Sequence, residues 1–426
     1  MERFDYPGLQ ETLYRQVLPN GLTVAVVPRP GFTRKLAYFV TDFGAIHTEF
    51  TLNGQKYTVP AGIAHYLEHK MFDLPRGEVS AEFAALGASP NAFTGYDMTA
   101  YYFTCTDHFM PCLRLLLEFV STPYFTKESV EKEQGIIGQE IGMHQDNPDA
   151  MGFESLMGAM YENHPIRVPI LGTKETIARI TPELLHICHQ AFYRPGNMLL
   201  CVVGDVDPDE VAAAAMEILP AEDTAVVTRV DTWQESMTSA KHLVQAKMEV
   251  SMPMFQLGFK CQPAPEGEAA VLQEMVGDLA AEALFGESSA LYMKLYEDGL
   301  IDTSFGGGFE TVDGMAMLTM YGDSDDPEAV RDAILQEARR LTREGIDPTT
   351  FARMKRSAMG RRIRDLDSFD STAFRTCAYH FSKYDYFRFP EVYRQVDSQS
   401  VLEFLKQSVT EDRCCLSIIY PTEEEK

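Results

Sequence analysis

An order of elements that can be read twice along the chain is the strongest constraint on its fold. Residues 91–105, rich in aromatic and threonine side chains, read as strand; 109–120 read as an amphipathic helix and about 126–143 as a second helix. Downstream the order returns, with a strand over 315–320 and helices over 329–341 and 351–363. Identity between the two stretches is low, so the recurrence suggests an internal duplication and nothing stronger. At 426 residues the chain exceeds one ordinary core. We place an N-terminal domain at 1–220 and a connection at 221–246, where periodicity weakens and Thr, Asp, Glu and Ser dominate. A C-terminal related domain follows at 247–426.

Bulk properties narrow the functional class. A formal net charge of −26 with no basic, aromatic-studded stripe argues against nucleic acid as a partner. Residues 1–10 carry charges and lack the apolar run of a secretory signal, and no stretch of about eighteen apolar residues occurs, so neither export nor a membrane span is expected. The eight cysteines are scattered, with no C-x-x-C pair, and read as reduced, mostly buried thiols of a cytoplasmic protein.

In the N-terminal half, Asn20-Gly21 between apolar stretches predicts a hairpin turn. Pro60 and Gly62 then precede a helical pattern reaching Phe72, in which Ile63, Leu67 and Met71 recur every four residues as an inward stripe. His65, Glu68 and His69 lie on another face of that helix. Residues four apart on a helix stack, so two imidazoles can address one ion with a carboxylate on the adjoining edge. Neutral imidazole suits zinc, and a nearby carboxylate can take the proton of a water made acidic by the metal. With 10 His and 63 acidic residues, a chance His-x-x-acid-His match is expected only about 0.03 times.

A catalytic zinc of this type needs a third protein ligand, which the inverted His-x-x-Glu-His motif takes from a distant helix. Candidates cluster in Glu131, Glu133 and Glu140. Glu133 and Glu140 are two turns apart on one face, and Ile137 close to that face suggests partial burial; Glu131 falls well off it. Half-buried carboxylates are costly unless compensated, as a zinc ion with its histidines would do.

These residues resemble the pitrilysin, insulinase and mitochondrial processing peptidase family of zinc peptidases. The resemblance runs through Leu18-Pro19-Asn20-Gly21-Leu22, Gly62-Ile63-Ala64-His65-Tyr66-Leu67-Glu68-His69 and Gly87-Ala88-Ser89-Pro90-Asn91-Ala92-Phe93-Thr94. It continues in Glu131-Lys132-Glu133, Gln139-Glu140 and Gly204-Asp205-Val206. It implies zinc held by His65, His69 and Glu140, a general base at Glu68 and a supporting acid at Glu133. It also implies an α+β fold of two structurally related halves, each a mainly antiparallel sheet packed with helices. A peptide substrate would add as a strand near Asn91, Ala92 and Phe93, using main-chain hydrogen bonds that tolerate many sequences.

One departure is informative. Active members of that family usually carry an arginine and a tyrosine in a Leu-Arg-x-x-x-Gly-Leu-x-Tyr context; here the corresponding stretch, Leu295-Tyr296-Glu297-Asp298-Gly299-Leu300-Ile301-Asp302, is one residue shorter before the glycine and has Tyr296 for the arginine and Asp302 for the tyrosine. A half-size sister subunit supplying that clamp, in a heterodimer, is the expected partner, a homodimer being the other assembly. The function expected is zinc-dependent endopeptidase, with a non-catalytic peptide-binding or scaffolding subunit as its rival and a zinc hydrolase of non-peptide amides as a third option. The basic run at 353–364 reads as a solvated face with local ion pairs, and Asp323-Ser324-Asp325-Asp326-Pro327-Glu328 as the entry to a helix. Gly306-Gly307-Gly308 lacks the Lys-Ser/Thr of a phosphate loop and reads as a bend or a close backbone approach, and no Gly-x-Ser-x-Gly elbow occurs.

Overall fold

In the computed structural model, which describes residues 1–230, 233–263 and 266–422, the Asn20-Gly21 turn closes a hairpin between strands Glu11–Val17 and Thr23–Pro28. Gly21 sits at φ +90, where a side chain is strained, and a Cβ there would stand 3.0 Å from the Gly196 Cα. Asn20 secures the turn: its Oδ1 accepts from the Leu22 N–H and its Nδ2 donates to the Pro220 carbonyl.

The hairpin begins a seven-stranded sheet in the order Glu2–Tyr6, Glu11–Val17, Thr23–Pro28, Met198–Gly204, Lys35–Thr41, Thr99–Cys105, Ser89–Thr94. Thr23–Pro28 and Met198–Gly204 run parallel and every other pair antiparallel. The stretch 91–105, expected as one strand, is two. Gly95 turns the chain, its N–H bonding to the Met98 carbonyl, and turn chemistry in Gly95-Tyr96-Asp97 overrides the surrounding strand propensity. Leu67, Leu116, Leu185 and Val211 bring helices Ile63–Met71, Phe109–Ser121, Pro182–Phe192 and Pro208–Ile218 into one core with this sheet.

A second sheet has the order Leu243–Met248, Cys414–Pro421, Met254–Cys261, Met315–Asp323, Gly306–Val312, its first pair parallel and the rest antiparallel. That is the order and sense of the last five strands of the first sheet. Helices Pro327–Glu344 and Pro348–Arg364 follow Met315–Asp323 as Phe109–Ser121 and Lys127–Gln145 follow Thr99–Cys105. The duplication suggested by the element order is therefore present in the topology, within an α+β fold of two related halves.

The halves are not continuous in sequence. One compact unit comprises Met1–Ile141, Pro169–Val230 and Ile363–Arg388; the other comprises Gly142–Val168, Asp231–Arg362 and Phe389–Lys426. Helix Pro148–Met160 packs on strands Met254–Cys261 and Cys414–Pro421, and helix Phe369–Phe381 on the equivalent strands Lys35–Thr41 and Met198–Gly204. Each unit thus takes this helix from the stretch that follows the other unit's elements. The chain passes between the units five times, and one of these passages, after Val230, falls within the connection expected at 221–246, of which residues 231 and 232 lie outside the described ones. That connection also holds strand Val227–Arg229, paired with Glu49–Leu52, and the start of Leu243–Met248.

Asp326 caps helix Pro327–Glu344 by accepting the Ala329 N–H, so the acidic run does lead into a helix. The basic run lies on helix Pro348–Arg364, and its ion pairs are not local: Arg361 reaches Glu282, and Arg362 reaches Glu274 and Asp278, all on helix Glu268–Phe285. Gly306 to Gly308 are in strand, where a Cβ on Gly307 would lie 2.1 Å from the Thr319 carbonyl, a close backbone approach. All eight cysteines are buried and unpaired. Among the described residues no helix is long and apolar enough to cross a membrane.

Candidate metal centre

Gly62 starts the helix Ile63–Met71 from a left-handed turn at φ +90, and a Cβ there would meet the Leu171 carbonyl oxygen at 2.5 Å. Ile63, Leu67 and Met71 are buried in the core as the spacing predicts. That seating turns His65, Glu68 and His69 together, the two imidazole rings 4.6 Å apart between centroids. Opposite runs helix Lys127–Gln145, whose buried stripe of Val130, Ile137 and Ile141 aims Glu133 and Glu140 at the histidines. Tyr66 ties the helices by donating to the Val130 carbonyl.

Glu140 Oε1 stands 3.6 Å from His65 Nε2, and its Oε2 stands 3.6 Å from His69 Nε2. One ligand atom from each of His65, His69 and Glu140 lies within 4.8 Å of the others. Glu133 Oε1 lies 3.0 Å from His69 Nδ1. Glu133 is held below the usual carboxylate range: burial works against its charge, but the His69 hydrogen bond and the charges of His69, Lys70 and Lys132 outweigh it. An anion only accepts, so His69 Nδ1 is the donor and its Nε2 is turned to Glu140. The other nitrogen of His65, Nδ1, is buried without a hydrogen-bond partner.

Burial, aided by the charge of His69, lowers the His65 imidazolium to about 3, so this ring is neutral. Burial disfavours charge on His69 too, yet Glu133, Glu68 and Glu140 together raise it. Glu68, nearly buried, is raised above an ordinary carboxylate by desolvation, a shift opposed by the Thr94 hydroxyl, which donates to its Oε2 at 2.5 Å.

Asn91, Ala92 and Phe93 lie on strand Ser89–Thr94, which ends the sheet order and pairs on one side only, with Thr99–Cys105. Asn91 Nδ2 donates to the Tyr102 hydroxyl, and the Phe93 ring lies 5.9 Å from that of Phe374. Thr94 ends the same strand, so the edge and the carboxylate of Glu68 are locked together. Tyr296 is on helix Ala290–Glu297, half exposed and stacked with Tyr292, while Asp302 accepts the Ser304 N–H.

Two participants escaped the sequence reading. Thr94 was visible as part of the strand but had no assigned role. Lys70 is only 1% exposed, pairs with Asp73, and stands 3.7 Å from Glu133 Oε2. A lysine one residue beyond the motif reads as surface, and its partner Glu133 is 63 positions away, so no local pattern marks its burial.

The pattern described as Insulinase (Peptidase family M16) matches residues 56–174, and that described as Peptidase M16 inactive domain matches residues 179–358. The chain is 36% identical over 98% of its length, and 98% of the relative's, to a Bacillus subtilis (strain 168) protein named uncharacterized zinc protease YmfH. Its fold is similar to the crystal structure of an M16-like protein from Alicyclobacillus acidocaldarius, with a TM-score of 0.93 and 32% identity, covering 97% of this chain and 99% of that one. It is similar in fold also to the periplasmic protease PqqL from Escherichia coli, at a TM-score of 0.73 and 19% identity, where 98% of this chain covers 48% of that chain.

Proposed function

Because the chain belongs to the pitrilysin/insulinase family of peptidases, we propose that it is a zinc-dependent endopeptidase subunit acting on extended peptides. The observation that carries this reading is the pair of imidazole Nε2 atoms facing separate oxygens of Glu140 at 3.6 Å each, with Glu68 one helical step away. Ligand atoms placed tetrahedrally around zinc are about 3.4 Å apart. The donor set, two imidazoles and a carboxylate, is that of a zinc hydrolase, and one of the imidazoles is already neutral. The three carboxylates that raise the proton affinity of His69 would equally favour a metal cation there.

His65, His69 and Glu140 would hold the metal, which when bound supplies a Lewis acid for a water and for the scissile carbonyl. Glu68 takes the proton of the attacking water and delivers it to the departing amine. Its raised affinity for a proton, from burial, suits it to both steps. The Thr94 hydroxyl fixes one carboxylate oxygen and leaves the other for the water. Glu133, backed by Lys70, orients His69. The peptide lies along the open side of strand Ser89–Thr94, where Asn91, Ala92 and Phe93 bind its main chain and Thr94 relates its register to Glu68.

By the resemblance, the arginine and tyrosine of a substrate clamp are missing here, Tyr296 and Asp302 standing in the corresponding stretch. We assign that clamp to a related half-size partner in a heterodimer. The same lack supports a second reading, a non-catalytic peptide-binding subunit. Metal analysis and peptide cleavage of the chain, alone and mixed with a related half-size subunit that carries the arginine and tyrosine, separate these readings. Glu68→Gln should keep the metal and lose cleavage, while His65→Ala should lose both. Cleavage retained by Glu68→Gln would remove Glu68 as the base, and a wild-type protein that binds zinc but never cleaves, alone or paired, would favour the second reading.

A further inference from the structure

A separate cavity of about 280 Å³ opens in the second unit, between the ends of strands Met254–Cys261, Met315–Asp323 and Cys414–Pro421 and the first turns of helix Pro148–Met160. It is at the small end of ligand pockets, suited to one long side chain rather than to a larger molecule. Its polar lining is Asp149, Gln256, Ser304, Asp323 and Ser417, and no Lys, Arg or His lines it. Met254, Phe255 and Ile419 supply an apolar wall, and the half-exposed ring of Tyr321 adjoins them.

The lining offers acceptors without a matching cation. Asp302 accepts the Ser304 N–H at 2.7 Å, and Ser304 Oγ accepts the Asp323 N–H at 3.2 Å, which draws Asp302 to the Asp323 end of the cavity. Asp323 is pushed above the usual range by burial and by the charges of Asp302 and Asp149. Gln256 Nε2 is engaged with the Asp149 carbonyl at 2.9 Å. Ser417 is the independent signal: its residue is only 2% exposed, it lines the cavity, and its hydroxyl makes no hydrogen bond among the described residues. A hydroxyl of a buried residue that opens onto a cavity, without a protein partner, is free for a ligand.

We propose that this cavity binds one alkyl-guanidinium or alkyl-ammonium group, presented by a basic peptide side chain or by a small free amine. Such a group carries donors only, matching carboxylates and hydroxyls, and its alkyl stem suits the Met254, Phe255 and Ile419 wall. The planar guanidinium can bridge two acceptors while stacking on Tyr321. The carboxylates here are not among those that converge on a common point as the His65 cluster does, which favours an extended organic cation over a metal ion.

Calorimetric titration of the full chain at physiological salt, with agmatine, with acetyl-Ala-Arg-Ala-amide and with the citrulline form of that peptide, tests the site. Saturable binding of one or both cations at one equivalent is expected, with none of the citrulline peptide. Agmatine binding identifies a free amine as sufficient; binding of the arginine peptide alone identifies a side chain. Asp323→Asn and Asp149→Asn should each weaken binding about tenfold. Gly152→Leu should abolish it with both carboxylates intact, since a Cβ at Gly152 would already stand 3.3 Å from Gln256 Cγ. Thermal melts identify variants that fold. Binding of the citrulline peptide as strong as that of arginine, binding unmoved in all three folded variants, or no saturable binding overturns the proposal. None of these measurements depends on cleavage, so the peptidase reading stands or falls separately.

Discussion

The two halves fill the same place in their topology with opposite chemistry. In the first, helix Ile63–Met71 meets the terminal strand Ser89–Thr94 through Glu68 and the Thr94 hydroxyl. In the second, helix Glu268–Phe285 occupies the same position and meets the terminal strand Gly306–Val312 through Gly277, on which Phe309 rests so closely that a Cβ would lie 2.3 Å from its Cγ. A nearly buried carboxylate costs stability, whereas an aromatic ring seated on a glycine adds it. One copy of the arrangement keeps an unfavourable group, to which we assign the role of base; the other uses the same contact for packing.

The widest separation between the halves comes from single substitutions at these contacts. Glu68→Gln, nearly isosteric, should lower peptide cleavage about a thousandfold while leaving the melting temperature unchanged or raised, because it removes a desolvated charge. Phe309→Ala should do the reverse, costing about 3 kcal/mol in denaturant unfolding with metal content intact. Trp233, the sole tryptophan, packs on His164 in the second unit with ring centroids 4.4 Å apart and reports that loss by fluorescence. Equal effects of both substitutions on stability, with no loss of rate in the first, would erase the contrast.

A second pair sharpens it. Each half buries a lysine against a carboxylate: Lys70 beside Glu133, and Lys260, 2% exposed, 2.7 Å from Glu235. Glu133 passes its interaction on to His69, while Glu235 accepts the backbone N–H groups of Glu162, Asn163 and His164. Burial opposes the charge of Glu235, but Lys260 and those N–H groups prevail and lower it from 4.5 to about 2. The folded value is depressed, so its contribution is complete above pH 4.5 and is lost as pH falls toward 2. Glu235→Gln should cost about 2 kcal/mol at neutral pH and flatten the acid limb of stability monitored at Trp233.

What the sequence disclosed follows from what is local. The Asn20-Gly21 turn, the Ile63, Leu67, Met71 stripe and the seven-residue spacing of Glu133 and Glu140 are short-range patterns, and the structure has those elements. The element order also foretold the duplication, since topology repeats even where residues do not. Two things were hidden. The apolar faces of helices Pro148–Met160 and Phe369–Phe381 specify that they are buried but not on which sheet, and each packs in the other half. Lys70 and Thr94 act through partners dozens of positions away, which no spacing rule reaches.

The finest test of the polar contact in the first half leaves Glu68 in place and removes only its support. Thr94→Val keeps the shape and β-propensity of the strand but deletes the hydroxyl that donates to Glu68 Oε2. A charge-assisted hydrogen bond of this kind is worth about 1.5 kcal/mol, so kcat should fall about tenfold. KM should stay nearly constant, because the main-chain edge proposed to receive the peptide is untouched, and Thr94→Ser should restore most of the rate. A rise in KM with kcat unchanged, or no rescue by serine, would mean that Thr94 serves the strand and not the carboxylate, and the polar contact would then be packing of another kind.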